Sequence, residues 1–178
     1  MDSATEASGH GLRLGSIKSS FQFSSFKVDF LKLDVKKELA LLELTGRIDP
    51  SLWDLKIAIR PPTFFKNKKY YVGGINAALL LYPKVMTEEE KNTSEALVTM
   101  EAGIAGIFNI SDDVDRFPPE VEKQLAFTQM PAILLPYLRA TMTTLLASAG
   151  FGSVIIPLIN IQKFTKDSLK DVEITVEE

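Results

Sequence analysis

The chain has no cysteine and a single histidine among its 178 residues, and these two shortages remove much of the chemistry open to a protein of this size. Without thiols there are no disulfides, no thiolate nucleophile and no sulfur-ligated zinc, which fits a reducing compartment, and the cytoplasm is the expected location. The lone histidine, His10, falls in MDSATEASGHGLRLGS, read as a disordered tail over residues 1–16. Histidine-based acid–base catalysis, a serine triad and most catalytic zinc sites therefore have no candidate base or ligand. The same stretch has acids and small residues where a secretory signal carries positive charge followed by an apolar core.

An excess of one charge is also missing. The 20 basic and 23 acidic residues give a net charge of -3, and the signs are interspersed, so nucleic acid is not an expected partner. Phe64, Phe65, Tyr70 and Tyr71 interleave with Lys66, Lys68 and Lys69 in the manner of a base-stacking platform; in an acidic chain they read as an exposed loop or a peptide-contacting edge. No long apolar run is free of charge. The one candidate span, Pro131 to Ala149, holds Arg139 and a second proline, and a mid-helix arginine costs about 2.5–3.5 kcal/mol on insertion, so no membrane insertion is expected.

Phosphate and metal signatures are absent in the same way. Gly73-Gly74 and Gly103 with Gly106 lack the spacing of a phosphate-cradling turn and read as strand bulges or, at Gly73-Gly74, a close backbone approach. Asp112, Asp113 and Asp115 lack the further ligands of a calcium loop and read as a solvated turn or helix cap. No metal, no cofactor and no enzymatic activity are expected.

What the chain does have is apolar surface. Apolar residues make up 46% and the mean hydropathy is +0.08, high for one small domain, the number that this length favours. The surplus points to a subunit interface or a binding groove.

The pattern along the chain is strand first. From Phe21 to Val35 apolar residues alternate, as Phe21 and Phe23, then Phe26, Val28 and Phe30, then Leu31, Leu33 and Val35. The phase slips twice, and each slip swaps the buried face unless a bulge absorbs it. Lys36 to Leu52 is ambiguous between short helix and strand, with a turn at Asp49-Pro50. Leu55, Ile57 and Ile59 alternate until Pro61-Pro62 stops them, and Thr63 to Lys69 reads as a loop. Tyr70 to Tyr82 and Ala96 to Ile110 read as two further strands, joined by a charged, solvated connection after Pro83. Four antiparallel strands before any long helix predict an α+β fold, a four-stranded antiparallel sheet followed by C-terminal helices packed on one face.

Prolines at 118 and 119 open a short helix through EVEKQLAFTQM, and a main helix starts near Pro131 to Leu134 and ends at Gly150. Leu134, Leu138, Met142, Leu145 and Ala149 line one face, widened by Leu135 and Leu146, with Arg139 and Thr143 opposite. That arc suits either a helix shared between its own sheet and another subunit or a fully buried core helix. Pro136 must lie in the first turn or kink the helix. The loop after Gly150, with Phe151, Val154, Ile155 and Ile156, is more apolar than a plain connection needs and reads either as part of a binding groove or as a cap on the core.

These segments resemble the SecB family of export chaperones. ILLPYLR, from Ile133 to Arg139, is similar to the family's NILFPYAR-type sequence, and VIIPLINIQKF after the helix is similar to its LNLAPVNFDALF segment. AGIFNI, from Ala105 to Ile110, matches a GGIFSI-like sequence, and Trp53 with KIAI resembles the tryptophan and strand that follow the family's crossover loop. The four occur in the family's order. Strong matching covers roughly Glu95 to Phe164, and the first half agrees in pattern.

The resemblance implies a SecB-like domain over residues 17–166, an acidic tail over 167–178, and assembly into a dimer of dimers. It implies a client groove for unfolded or nascent polypeptides between Trp53 and the loop of Phe151, Val154, Ile155 and Ile156. It places Met100, Ala102 and Ile104, with Leu135, Met142 and Leu146 of the main helix, at the oligomer interface. Asp34 and Glu101 would dock the SecA ATPase, although Phe30 stands where the family pattern has an acid. The function implied is an ATP-independent holdase serving export, or a solitary guard of one client such as an antitoxin. A non-catalytic adaptor for one folded partner is the rival reading.

Overall fold

The computed structural model describes residues 19–37, 39, 49–111, 113–152, 154, 156, 157, 159–161, 163 and 174–178. The tail over 1–16, most of the ambiguous segment before residue 49, Asp112, Ile155 and residues 164–173 lie outside the described residues. The described chain forms β1 (Phe21–Val35), β2 (Trp53–Phe65), β3 (Tyr70–Leu81), α1 (Glu88–Thr93), β4 (Val98–Ile110), α2 (Pro119–Gln124), α3 (Met130–Ser148) and β5 (Thr175–Glu177). Across the sheet the order is β1-β4-β3-β2-β5. The first four strands pair antiparallel, so the predicted sheet is present. It gains a fifth, short strand that pairs in parallel with β2, within the segment read as an acidic tail.

Both phase slips in β1 are bulges. The register against β4 shifts between Phe23 and Ser25 and again between Val28 and Phe30. With those two residues left out of the ladder, Phe21, Phe23, Phe26, Val28, Leu31, Leu33 and Val35 pair with even-numbered β4 residues and share the helix-side face. Phe30 pairs with Gly103 and takes the outer face. In β2 the register shifts between Arg60 and Thr63: the prolines are absorbed as a bulge, and the strand continues to Phe65 rather than ending at Ile59. Half of the expected Thr63–Lys69 loop is therefore strand.

Between β3 and β4 the glycines lie in unshifted ladder; the bulges beside Gly73 and Gly103 belong to β2 and β1, and the glycines themselves are points of close approach. A Cβ on Gly73 would stand 2.6 Å from the Met130 sulfur, and one on Gly106 would stand 2.6 Å from Leu134 Cδ2. The helix settles onto the sheet at these two points. On the outer face Gly74 lies under the Arg60 guanidinium and Gly103 under the Phe30 ring. Arg60 crosses the sheet there to reach Asp29 and the Ile104 carbonyl.

The connection after Pro83, expected as a charged, solvated stretch, holds a turn of helix. Thr87 and Glu90 form a reciprocal capping box at the start of α1. Lys91 then ties α1 to β2, its Nζ lying 3.2 Å from Asp54 and 2.7 Å from Glu88. These two acceptors hold the ammonium above its usual range.

The two expected C-terminal helices are one continuous rod from Pro119 to Ser148 with a π turn at Leu125–Gln129 between α2 and α3. There the Met130 N–H donates to the Leu125 carbonyl five residues back. The widened turn makes room for the Pro131 ring, which a regular helix would press against the carbonyl four residues earlier. Pro136 lies inside α3 on its exposed face, so the acceptor it leaves without a donor faces outward. This rod is long and apolar enough to cross a membrane by composition, but Leu134, Leu138, Met142 and Leu146 are all buried against the sheet, each contributing about 1.5–3 kcal/mol.

Candidate functional site

Helix α3 ends in a turn fixed by glycine. Gly150 has φ +89°, its N–H donates to the Ala147 carbonyl at 3.1 Å, and the Phe151 N–H reaches back to the Leu146 carbonyl at 3.0 Å. This pair of bonds is a Schellman ending, for which a residue free to adopt positive φ is needed. Gly152 is also left-handed at φ +61°. Between the two glycines Phe151 is turned inward and meets Trp53 edge to face, with ring centroids 6.1 Å apart.

Past Gly152 the chain runs alongside the outward face of α3. The two enclose a groove of about 560 Å³ lined by Pro136, Arg139, Ala140, Thr143, Thr144 and Ala147 from the helix and by Gly152, Val154 and Ile156 from the loop. The lining is small and apolar except for Arg139 and the threonines, and among the described residues the Arg139 Nε is buried without a hydrogen-bond partner. A second groove, about 460 Å³, lies on the other flank of the helix between Leu31 of β1 and Ala140, Thr141, Thr144, Leu145 and Ser148. Beside it Tyr137 meets Phe26 and Phe23, with centroids at 4.5 and 5.4 Å. Phe26, Leu31 and Val35 are exposed there, as is Tyr137 of α3, and the outer edge of β1 has no partner among the described strands.

The predicted site residues divide accordingly. Trp53 and Val154 are half-buried. Phe151 and Ile156 keep 5% and 2% of their surface, so Phe151 belongs to the core, while Ile156 sits at the floor of the groove. Ile155 lies outside the described residues. The open groove is thus between the loop and α3, and Phe151 closes the side toward Trp53.

The interface expectations need correction. Met100, Ala102 and Ile104 have no exposed surface even in the single protomer, because the even-numbered residues of β4 point at α3. Leu135, Met142 and Leu146 are buried as well on the sheet-facing side of the helix. The surfaces left uncovered are the Ala140–Thr144–Ala147 side of α3 and the β1 edge, which sequence reasoning missed. The signal was the run of small residues opposite the leucines. Asp34 and Glu101 fall on the outer sheet face, paired with Thr99 and Lys32. Phe30 lies on that face over Gly103.

Among the described residues no cluster of potential metal ligands occurs. Asp113 is held below the usual carboxylate range by a hydrogen bond from Ser111, and Asp115 pairs with Lys69 at 2.9 Å, as solvated turn residues do.

The family model described as the preprotein translocase subunit SecB matches residues 81–171. Among solved structures, a Mycobacterium tuberculosis SecB-like chaperone in complex with a ChAD peptide from the HigA1 antitoxin matches with a TM-score of 0.56 at 14% identity, over 78% of this chain and 90% of that one. A protein of unknown function from Streptococcus agalactiae gives a TM-score of 0.39 at 13% identity, over 78% and 97%. No curated protein sequence matches. The matched family segment runs from the end of β3 through β4, α2, α3 and the loop that forms the groove, and it takes in half of the sequence: the chain belongs to the SecB family of chaperones.

Proposed function

We propose that the protein is an ATP-independent holdase that binds unfolded or nascent polypeptides in an apolar groove, keeping them competent for export or folding. It works in the cytoplasm as a homo-oligomer and needs no cofactor. The observation that carries this reading is the open groove between α3 and the Gly152–Ile156 loop, apolar along its walls, with the unpartnered Arg139 Nε able to donate a hydrogen bond to a client carbonyl. Burying one large apolar side chain is worth about 1.5–3 kcal/mol, whereas a micromolar complex needs about 8 kcal/mol beyond association costs. One subsite is too weak; several, repeated on linked copies, are not. Two copies meeting at the β1 edge would supply that repetition.

The rival reading, a non-catalytic adaptor for one partner such as an antitoxin, is favoured by the solved relative bound to an antitoxin peptide. For export, Asp34 and Glu101 are the residues that would meet SecA. Light scattering of an aggregating unfolded protein tests the holdase: suppression at stoichiometric ratios is expected, and none at any ratio ends the reading. Pull-down then separates many unrelated nascent chains from one stoichiometric partner.

A further inference from the structure

We propose that the Thr63–Phe65 stretch on the free edge of β2 is a docking site for extended polypeptide segments in which branched apolar residues alternate with acidic ones, and that residues 174–178 fill it in cis. β5 pairs with β2 through Thr63 with Thr175, Phe64 with Val176 and Phe65 with Glu177. The length of the site is fixed by sequence. On one side Pro61 and Pro62 offer no N–H to a neighbour, and on the other the chain turns into a 3-10 segment at Lys66–Lys68. Three residues can pair and no more.

The seated strand is held lightly. All three residues of β5 are exposed, Val176 keeps 45% of its surface, and Ile174 alone packs against the core. Charge fits the register: Glu177 pairs beside Phe65, and the parallel direction carries Glu178 toward the exposed Lys66 and Lys68. The basic, aromatic hairpin, which the groove leaves without a role, thereby gains one. A tethered strand has an effective concentration on the order of millimolar, so it screens the edge from weak binders and admits an incoming segment in the fraction of time it is away. The site is separate from the groove along α3 and rests on the polypeptide-binding reading only for the kind of occupant it takes in trans.

The probe is a fluorescein-labelled peptide with the sequence of residues 172–178, VEITVEE, followed by anisotropy. It is titrated against the full chain, a chain lacking residues 174–178, and a full-length Thr175→Pro/Val176→Pro chain. Neighbouring prolines remove a ladder donor whichever residue faces β2. Affinity is expected to rise about tenfold in both variants and to fall at least about threefold when Lys66→Glu and Lys68→Glu are added to the deletion, a difference that shrinks as salt rises. Hydrogen exchange across Thr63–Phe65 reads the same equilibrium without deletion: protection in the full chain, loss in the proline variant, recovery with peptide. Equal peptide affinity in all chains, or unchanged protection in the proline variant, overturns the proposal. Aggregation suppression is scored on the same chains. Suppression with unchanged peptide affinity removes the edge site and leaves the holdase; a tenfold rise with no suppression in any chain removes the holdase and leaves the edge site.

Discussion

The Tyr71 hydroxyl donates to the Glu122 carboxylate at 2.6 Å, joining the middle of the sheet to the first turns of the long helical rod. The same carboxylate, 3% exposed, receives Nε and Nη2 of Arg116 at 2.7 and 2.8 Å, and the Arg116 guanidinium lies over the Phe64 ring. Its acceptor sites are thus used by three donor atoms from two residues, and losing it strands a buried hydroxyl.

Glu122→Ala is therefore expected to lower stability by about 2–3 kcal/mol, measured by denaturant titration, with Glu122→Gln losing less. A change below about half a kcal/mol would show that the latch is ornamental.

Tyr71 gives a pH dependence of defined sign. Burial, reinforced by the hydrogen bond and the charge of Glu122, pushes the phenol well above its usual value of 10.0. A folded-state value above the unfolded one means that the associated stability is complete below about pH 10 and drains away as pH climbs beyond it. Tyr71→Phe should flatten the alkaline side of the stability profile, and a part of the tyrosinate absorbance that appears only with unfolding should be lost in that variant.

The groove and the core beneath it separate by mutation. Phe151→Ala empties a core site and should cost about 3–5 kcal/mol, with a change in the emission of Trp53, the sole tryptophan. Val154→Asp, on a half-buried groove wall, should leave the melting temperature nearly unchanged and weaken binding of an unfolded client about tenfold or more. Equal client affinity in the Val154→Asp chain would move the client site elsewhere.

Assembly has its own test. Phe26→Lys with Leu31→Lys places two charges on the exposed side of β1 and should reduce the mass in solution while the monomer stays folded. Met100→Leu, at a site buried within the protomer, should leave the mass alone.

Close packing at glycine supplies a fifth prediction. Gly106→Ala presses a methyl into Leu134 and the Phe108 ring and should cost about 1–3 kcal/mol. Gly74→Ala meets the end of a flexible Arg60 side chain and should cost less, by the same thermal melts.

Much of this molecule could be read from its residues because alternation reports which side chains share a face. It showed that β1 is bulged twice, setting the second bulge after Phe30 where the structure has it before, and helical spacing placed Arg139 and Thr143 away from the leucines of α3. It could not say what covers a face. Met100, Ala102 and Ile104 were readable as one stripe, but whether that stripe meets a partner or its own helix depends on where α3 lands. That landing is decided by Gly73 and Gly106, two residues with no side chain to betray them. Pro61-Pro62 misled for a related reason: proline stops a central strand, but β2 lies near the sheet edge, where a bulge absorbs it. The Thr87–Glu90 cap was legible and simply outweighed by the charges around it.

The interruptions in the outer strands bear on whether the chain can stack on copies of itself. Stacking into cross-β fibrils needs flat, uncharged segments of some six residues with free backbone groups. β1 is bent twice and carries Lys27, Asp29, Lys32 and Asp34, and β2 is broken by two prolines. A chain whose outer strands are broken in this way is a poor seed for the amyloid that a flat apolar edge would otherwise template.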